Sequence, residues 1–322
     1  MHDVDFWSAV TSLVASGKPV GLVVMVDAEG SGPNRPGAKL AVTADGERLG
    51  TVGGGRSEFS LAESATAMLQ EHPPPPPHRV TMTHTGETGA HASGMICSGE
   101  QRFIAVCLGE ADRATLLTIQ DAYRNNRPHH LSLDANGLHC VPAADSNAGA
   151  GYAPDPWCYR ETVGIRDTMT LVGGGHVSLA LTPLLASLGM RIVILDNRPD
   201  LATMRDNVQA DECRVVDYTD MERHIPDGDR SYVAIMTFGH AHDETVLAQL
   251  VGRPLRYLGM MGSAAKIATI RANLIAQGVA PESLDAIHAP IGLPIASNTP
   301  AEIAISIAAE VIAVRNGPIA ET

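Results

Sequence analysis

Thr170-Leu171-Val172-Gly173-Gly174-Gly175-His176-Val177-Ser178 is the segment from which the architecture is read. An apolar, β-branched run enters three glycines and leaves as a helix start. Gly173 and Gly175 take the first two glycine positions of a G-x-G-x-x-G turn, and Ser178 stands at the third. The first glycine permits the turn, the second lets a pyrophosphate approach the backbone at a helix N-terminus, and Ser178 is small enough for close helix–strand packing. Ile192-Val193-Ile194-Leu195-Asp196 then reads as the next strand. Asp196 lies 21 residues after Gly175, where a carboxylate accepts from a ribose diol; a turn or helix-cap role competes with this. Arg198 beside it suits a 2′-phosphate.

Working outward, residues 168–172, 191–195, 214–216, 232–237 and 256–258 read as strands, with 285–288 a weaker case. Helical patterns fall between most of them, and 302–314 reads as a final helix. This alternation implies βαβ units and a Rossmann-like doubly wound parallel sheet over 167–322. Upstream, periodicity fades around Pro154-Asp155-Pro156, so 151–166 reads as a linker. Residues 1–150 read as an N-terminal mixed α/β domain, with helices at 6–15, 58–69 and 111–123 and strands at 22–26, 38–43, 79–83 and 103–108. Pro73 to Pro77 exclude helix and sheet and imply a polyproline II spacer.

A chain of 322 residues fits two domains, and 44% hydrophobic with 18% charged residues excludes general disorder. The net charge of −13 argues against nucleic acid or an anionic membrane as partner. No apolar run is long enough to span a bilayer, the first residues lack a secretory pattern, and the five cysteines form no CxxC pair. These features predict a cytoplasmic protein without a disulfide framework. Homo-oligomerisation is left open.

Anion-binding candidates recur along the chain. Gly53-Gly54-Gly55 precedes a helix and can expose several amides as a nest, with Arg35 or Lys39 adding charge. Arg56 and Glu58 read equally as loop-orienting groups or a solvated ion pair. His176 stands beside the second glycine turn. His240 follows a strand at what would be the ligand-binding end of a parallel sheet, with Asp243 as helix cap. Ser263 and Lys266 open another helix and form a further anion site. Glu302, three residues after Thr299, suits a capping box. A zinc site from His84, His91 and Cys97 matches no strong spacing.

Several segments in fixed order resemble the xanthine dehydrogenase accessory (XdhC/CoxI) family over nearly the whole chain. In the first half these are Gly30-Ser31-Gly32-Pro33-Asn34-Arg35-Pro36-Gly37-Ala38-Lys39, Gly50-Thr51-Val52-Gly53-Gly54-Gly55, and Met95-Ile96-Cys97-Ser98-Gly99-Glu100. In the second half they are Gly173-Gly174-Gly175-His176-Val177, Thr237-Phe238-Gly239-His240-Ala241-His242-Asp243, Gly259-Met260-Met261-Gly262-Ser263, Pro290-Ile291-Gly292-Leu293 and Thr299-Pro300-Ala301-Glu302. Two departures are visible: Asn34 stands where the family has arginine, with Arg35 one residue later, and Ser98 replaces a glycine after Cys97. The resemblance implies a chaperone for the molybdenum cofactor, as molybdopterin or its dinucleotide. Such a chaperone protects the cofactor while a cysteine desulfurase partner assists its sulfuration, then inserts it into a molybdenum hydroxylase apoenzyme. With it, Cys97 among small residues becomes a candidate molybdenum or sulfur contact, whereas Cys107 reads as strand core. The glycine turn and Asp196 alone also fit an NAD(P)-dependent oxidoreductase or a nucleotide-responsive regulatory module.

Overall fold

The computed structural model describes residues 1–30, 35–84, 99–143 and 150–317, which cluster into two compact units, Met1–Ile165 and Arg166–Thr322. The first begins with α1 (Asp3–Ala15), β1 (Val20–Gly30), β2 (Lys39–Thr43), β3 (Arg48–Gly50) and α2 (Gly55–Met68). It continues with β4 (His78–His84), β5 (Gly99–Leu108), α3 (Arg113–Arg124), β6 (His129–Asp134), β7 (Gly137–Pro142), β8 (Gly151–Pro154) and β9 (Trp157–Val163). Residues 73–77 adopt neither helix nor strand, as five prolines require.

Two antiparallel sheets result, ordered β3-β2-β1-β5-β4 and β7-β6-β9-β8. Alternation along β1 explains how the first sheet is covered on both faces. Val23 and Met25 pack with Leu61, Ala62, Ala65 and Met68 of α2. Leu22, Val24 and Val26 join α1, α3 and the inner residues Leu131, Leu133 and Tyr159 of the second sheet.

The expected linker at 151–166 is instead largely sheet. β8 and β9 pair as a hairpin whose turn is Asp155-Pro156, and Tyr159, Glu161 and Val163 point inward as buried residues. The Pro-rich composition marks that turn, while the inward alternation that follows it belongs to an ordinary half-buried strand.

The second unit contains β10 (Thr168–Val172), α4 (His176–Ser187), β11 (Arg191–Asp196), α5 (Ala202–Arg205), β12 (Glu212–Val215) and β13 (Gly228–Ile235). It ends with α6 (His240–Leu250), β14 (Leu255–Met260), α7 (Ala264–Ala276), α8 (Pro281–Asp285) and α9 (Pro300–Asn316). The sheet is fully parallel in the order β12-β11-β10-β13-β14, the Rossmann arrangement expected from the glycine turn. Its strands are apolar on both faces. Met169, Leu171, Ile192 and Ile194 meet α4 and α9 on one side. Val172, Val193, Leu195 and Val233 meet α6 and α7 on the other.

Residues 285–288 do not form the strand considered for them. Asp285 ends α8, and only an isolated parallel bridge joins His288 to Gly259. The capping box at α9 is present: Thr299 Oγ1 accepts from the Glu302 amide at 3.3 Å, and Glu302 accepts from the Thr299 amide at 3.0 Å. Glu302 therefore has a structural role. Among the described residues no helix is long and apolar enough to cross a membrane.

Candidate functional site

In the parallel sheet, strand order reverses between β10 and β13, and their carboxyl ends open into helices α4 and α6. Such switch points are where open α/β sheets leave a crevice for ligands. Gly173 makes the turn out of β10 at φ +110°, and its amide donates to the Leu195 carbonyl at 2.7 Å. A Cβ at Gly174 would lie 2.4 Å from Met204 Cγ, whereas one at Gly175 would meet nothing within 4 Å. The loop is therefore closely packed beneath and open at its tip. Gly175 caps α4 and Gly239 caps α6, and neither helix start receives a side-chain cap. Their first amides and positive dipole ends suit an anion. His176 and His240 are the first residues of these helices, and both are exposed.

The charged residues around the crevice are engaged more deeply than their spacing suggested. Asp196 is fully buried. Its carboxylate accepts from the Gly174 amide at 2.8 Å, the Arg198 amide at 2.9 Å, and Arg198 Nε and Nη2 at 2.8 Å each. It braces the glycine loop and does not face outward as a ribose acceptor. Asp243 is likewise buried, but it does not cap its own helix. It accepts from the Thr237 amide and hydroxyl, at 3.1 and 2.6 Å, and pairs with Lys266. Lys266 also donates to the Met261 carbonyl at 3.2 Å. Ser263 caps α7 by accepting the Lys266 amide at 3.3 Å. The expected anion site at Ser263 and Lys266 is thus replaced by an internal clasp joining α6 to α7.

Phe238, a residue whose sequence position alone marks no role, stands in the β13–α6 turn with 62% of its surface exposed. The Arg198 guanidinium lies 4.7 Å from its ring centroid and the His242 ring 5.0 Å away. Tyr218 contacts the other side of the cluster, 5.4 Å from His242. A phenylalanine just ahead of a helix-capping glycine was the available signal, but its cationic neighbour Arg198 comes from a different βα unit.

The N-terminal glycine loop carries its own anion. Glu58 on α2 reaches back to accept from the amides of Val52 at 2.9 Å and Gly54 at 3.0 Å, and from the Thr51 hydroxyl. The Gly53 amide is directed to Thr51 Oγ1 at 3.3 Å. Burial opposes ionisation of Glu58, yet these hydrogen bonds hold its carboxyl below the usual carboxylate range. Of the nest expected at Gly53, Gly54 and Gly55, the Gly54 amide is taken by Glu58 and the Gly53 amide by Thr51. Arg35 is exposed. Lys39 is not: its ammonium is buried, 3.0 and 3.1 Å from the two oxygens of Glu161, 2.9 Å from the Gly37 carbonyl and 3.3 Å from Asp3. It adds no outward charge. Cys97 and His91 lie outside the described residues. Burial raises the thiols of Cys107 and Cys213 and pushes Cys140 up to about 11. Among the described residues, no group of three or more His, Cys, Asp or Glu could hold a metal ion.

Asp196 supplies a pH-dependent prediction. Burial opposes its charge, but the hydrogen bonds from Arg198 and the Gly174 amide hold its carboxyl below 3.8. A depressed folded pKa contributes stability above the unfolded value that is lost as pH falls through the folded one. Asp196→Asn is expected to cost about 2 kcal/mol at neutral pH, with the cost shrinking below about pH 4. Urea unfolding of both forms between pH 7 and 3, followed by circular dichroism, measures this. A difference that stays constant with pH would contradict a charged carboxylate at this position.

Two family models match the chain, one described as the XdhC Rossmann domain over residues 169–311 and one as the XdhC and CoxI family over residues 13–80. The "Uncharacterized protein YqeB" of Escherichia coli (strain K12) is 27% identical over 321 residues, covering 97% of this chain and 47% of that protein. The chain thus spans about half of that relative's length. A protein of Bacillus subtilis (strain 168) described as a probable xanthine dehydrogenase subunit is 24% identical, with 97% of this chain and 98% of that protein covered. A crystal structure described as a xanthine dehydrogenase from Bacillus halodurans superposes with a TM-score of 0.76 at 22% identity, covering 98% of this chain and 96% of that one. At that identity the likeness establishes a shared fold.

Proposed function

The chain belongs to the XdhC and CoxI family, and from that premise we propose that it carries the molybdenum cofactor to a xanthine-dehydrogenase-like hydroxylase. Membership of this family ties the chain to xanthine dehydrogenase maturation. In the finer reading the cofactor is cargo. It is shielded while a cysteine desulfurase assists replacement of a molybdenum oxo by a sulfido ligand, then passed to the apoenzyme.

The observation that carries this reading is the switch point of the parallel sheet, with two helix starts that lack side-chain caps and an exposed aromatic ring just ahead of one of them. The cargo combines a phosphate with a planar pterin. The amides at Gly175 and His176 and those opening at His240 suit the phosphate, and Phe238 suits the ring. The Gly174 amide, expected among the phosphate donors, is instead given to Asp196, so Gly175 and His176 carry that role. Within the N-terminal unit, taken by itself, Arg35 is an exposed cation and Cys97 is the proposed soft contact to molybdenum or sulfur. Arg198, held by Asp196, lies over the same Phe238 ring.

Deleting the gene should leave the client hydroxylase expressed but deficient in sulfurated cofactor, at least tenfold less active and with its cyanide-labile sulfur correspondingly reduced. The purified chain, co-expressed with cofactor synthesis, should retain pterin detectable by fluorescence after oxidation. Normal sulfur content and activity of every molybdenum hydroxylase in the deletion strain would overturn the proposal.

A further inference from the structure

Tyr218 is 98% buried, yet its hydroxyl has no hydrogen-bond partner of normal geometry. Leaving such a group unsatisfied costs free energy that a phenylalanine would avoid. The hydroxyl lies beside the Asp196–Arg198 turn, where burial and then the charge of Asp196 raise its pKa. Asp196, meanwhile, takes two of its four hydrogen bonds from the Arg198 side chain, the partly exposed member of the pair. The same guanidinium covers the exposed Phe238 ring. The chain of contacts is continuous, from Tyr218 through His242 to Phe238 and Arg198.

Taking the switch-point crevice as the cargo site, we infer that Arg198 is a swinging clamp for the phosphate of a planar nitrogen heterocycle stacked on Phe238, and that Tyr218 replaces it on Asp196. When Arg198 turns outward, the Gly174 and Arg198 amides still donate to Asp196, one to each oxygen. The Tyr218 hydroxyl supplies a third hydrogen bond. The buried carboxylate stays solvated by the fold, so the guanidinium is released without stranding a charge. Departure of Arg198 also uncovers the face of Phe238 for stacking. The recognised class is a phosphomonoester attached to a fused heteroaromatic ring, a chemistry shared by molybdopterin and purine nucleotides.

Guanosine 5′-monophosphate carries both features, and guanosine or inorganic phosphate carries one each. Calorimetry on the purified full chain should show GMP binding at least tenfold more tightly than either fragment, and Phe238→Ala should remove at least tenfold of that affinity. Tyr218→Phe is the decisive variant. Its unliganded melting temperature should be unchanged or higher, because no hydrogen bond is lost, while GMP affinity falls about fivefold, the worth of one hydrogen bond. Undiminished GMP affinity in Tyr218→Phe overturns the exchange, as does a lowered melting temperature. Should that variant not fold, Arg198→Gln gives the answer: GMP affinity should drop at least tenfold and guanosine affinity should not, and equal losses refute the clamp. Absence of GMP binding refutes the site. Cofactor sulfuration in the deletion strain is read separately, so failure here and failure of the carrier function are distinguishable.

Discussion

Lys39→Ala is expected to destabilise the N-terminal unit by about 3–5 kcal/mol, the cost of stranding a buried carboxylate. Lys39 Nζ sits within 3.1 Å of both oxygens of Glu161, and the side chains of both residues are more than nine-tenths buried. Tyr159 donates to the same carboxylate at 3.0 Å. Although burial opposes the ammonium, the charges of Glu161 and Asp3 keep Lys39 protonated beyond its ordinary range. Removing Lys39 leaves Glu161 without its counter-charge in a site closed to water. Both tryptophans, Trp7 and Trp157, lie in this unit, so their fluorescence follows its unfolding in urea. A second variant separates charge from packing. Lys39→Met combined with Glu161→Gln keeps an acceptor for Tyr159 and removes both charges, and it should recover at least half of the loss. A single-variant cost below about 1 kcal/mol would place the pair in the class of solvated surface ion pairs.

Gly173→Ala should unfold or severely weaken the second unit, at a cost of about 4 kcal/mol or more. A Cβ there would lie 2.3 Å from the Met236 carbonyl oxygen and 2.6 Å from its carbon, at φ +110°. Backbone at the end of β13 cannot yield without pulling β13 away from β10, and those strands are the centre of the sheet. Gly175→Ala is the matched control. Its φ is −75° and its Cβ would meet open space, so the change should be nearly neutral for stability. Hydrogen exchange along β10 and β13 measures both. Equal protection in the Gly173 variant and the parent would mean that the loop relaxes freely, contrary to its packing.

The contrast between these two glycines shows how far pattern reading reaches. A glycine turn between an apolar run and a helix start identifies the Rossmann unit because each constraint acts within a few residues. Strand alternation and helix periodicity likewise located β10, β11, β13 and α9 to within a few residues. β8 and β9 escaped because four- and seven-residue strands around a proline turn carry little periodicity. Their inward residues are recognisable only against the sheet they cover.

The charged residues divide along the same line. Local sequence places Gly175, His176 and His240 at helix starts, since a turn and the helix following it are short-range features. Whether a charge faces outward is a different question, settled by partners distant along the chain. Lys39 finds Glu161, 122 positions away, and Lys266 finds Asp243, 23 positions away. Asp196 turns back onto Gly174, 22 positions earlier. A buried ion must be neutralised or hydrogen-bonded, so each of these groups is claimed by whichever partner the packing brings near. Spacing can nominate such residues for a ligand, but the folded arrangement determines which of them remain free to meet one.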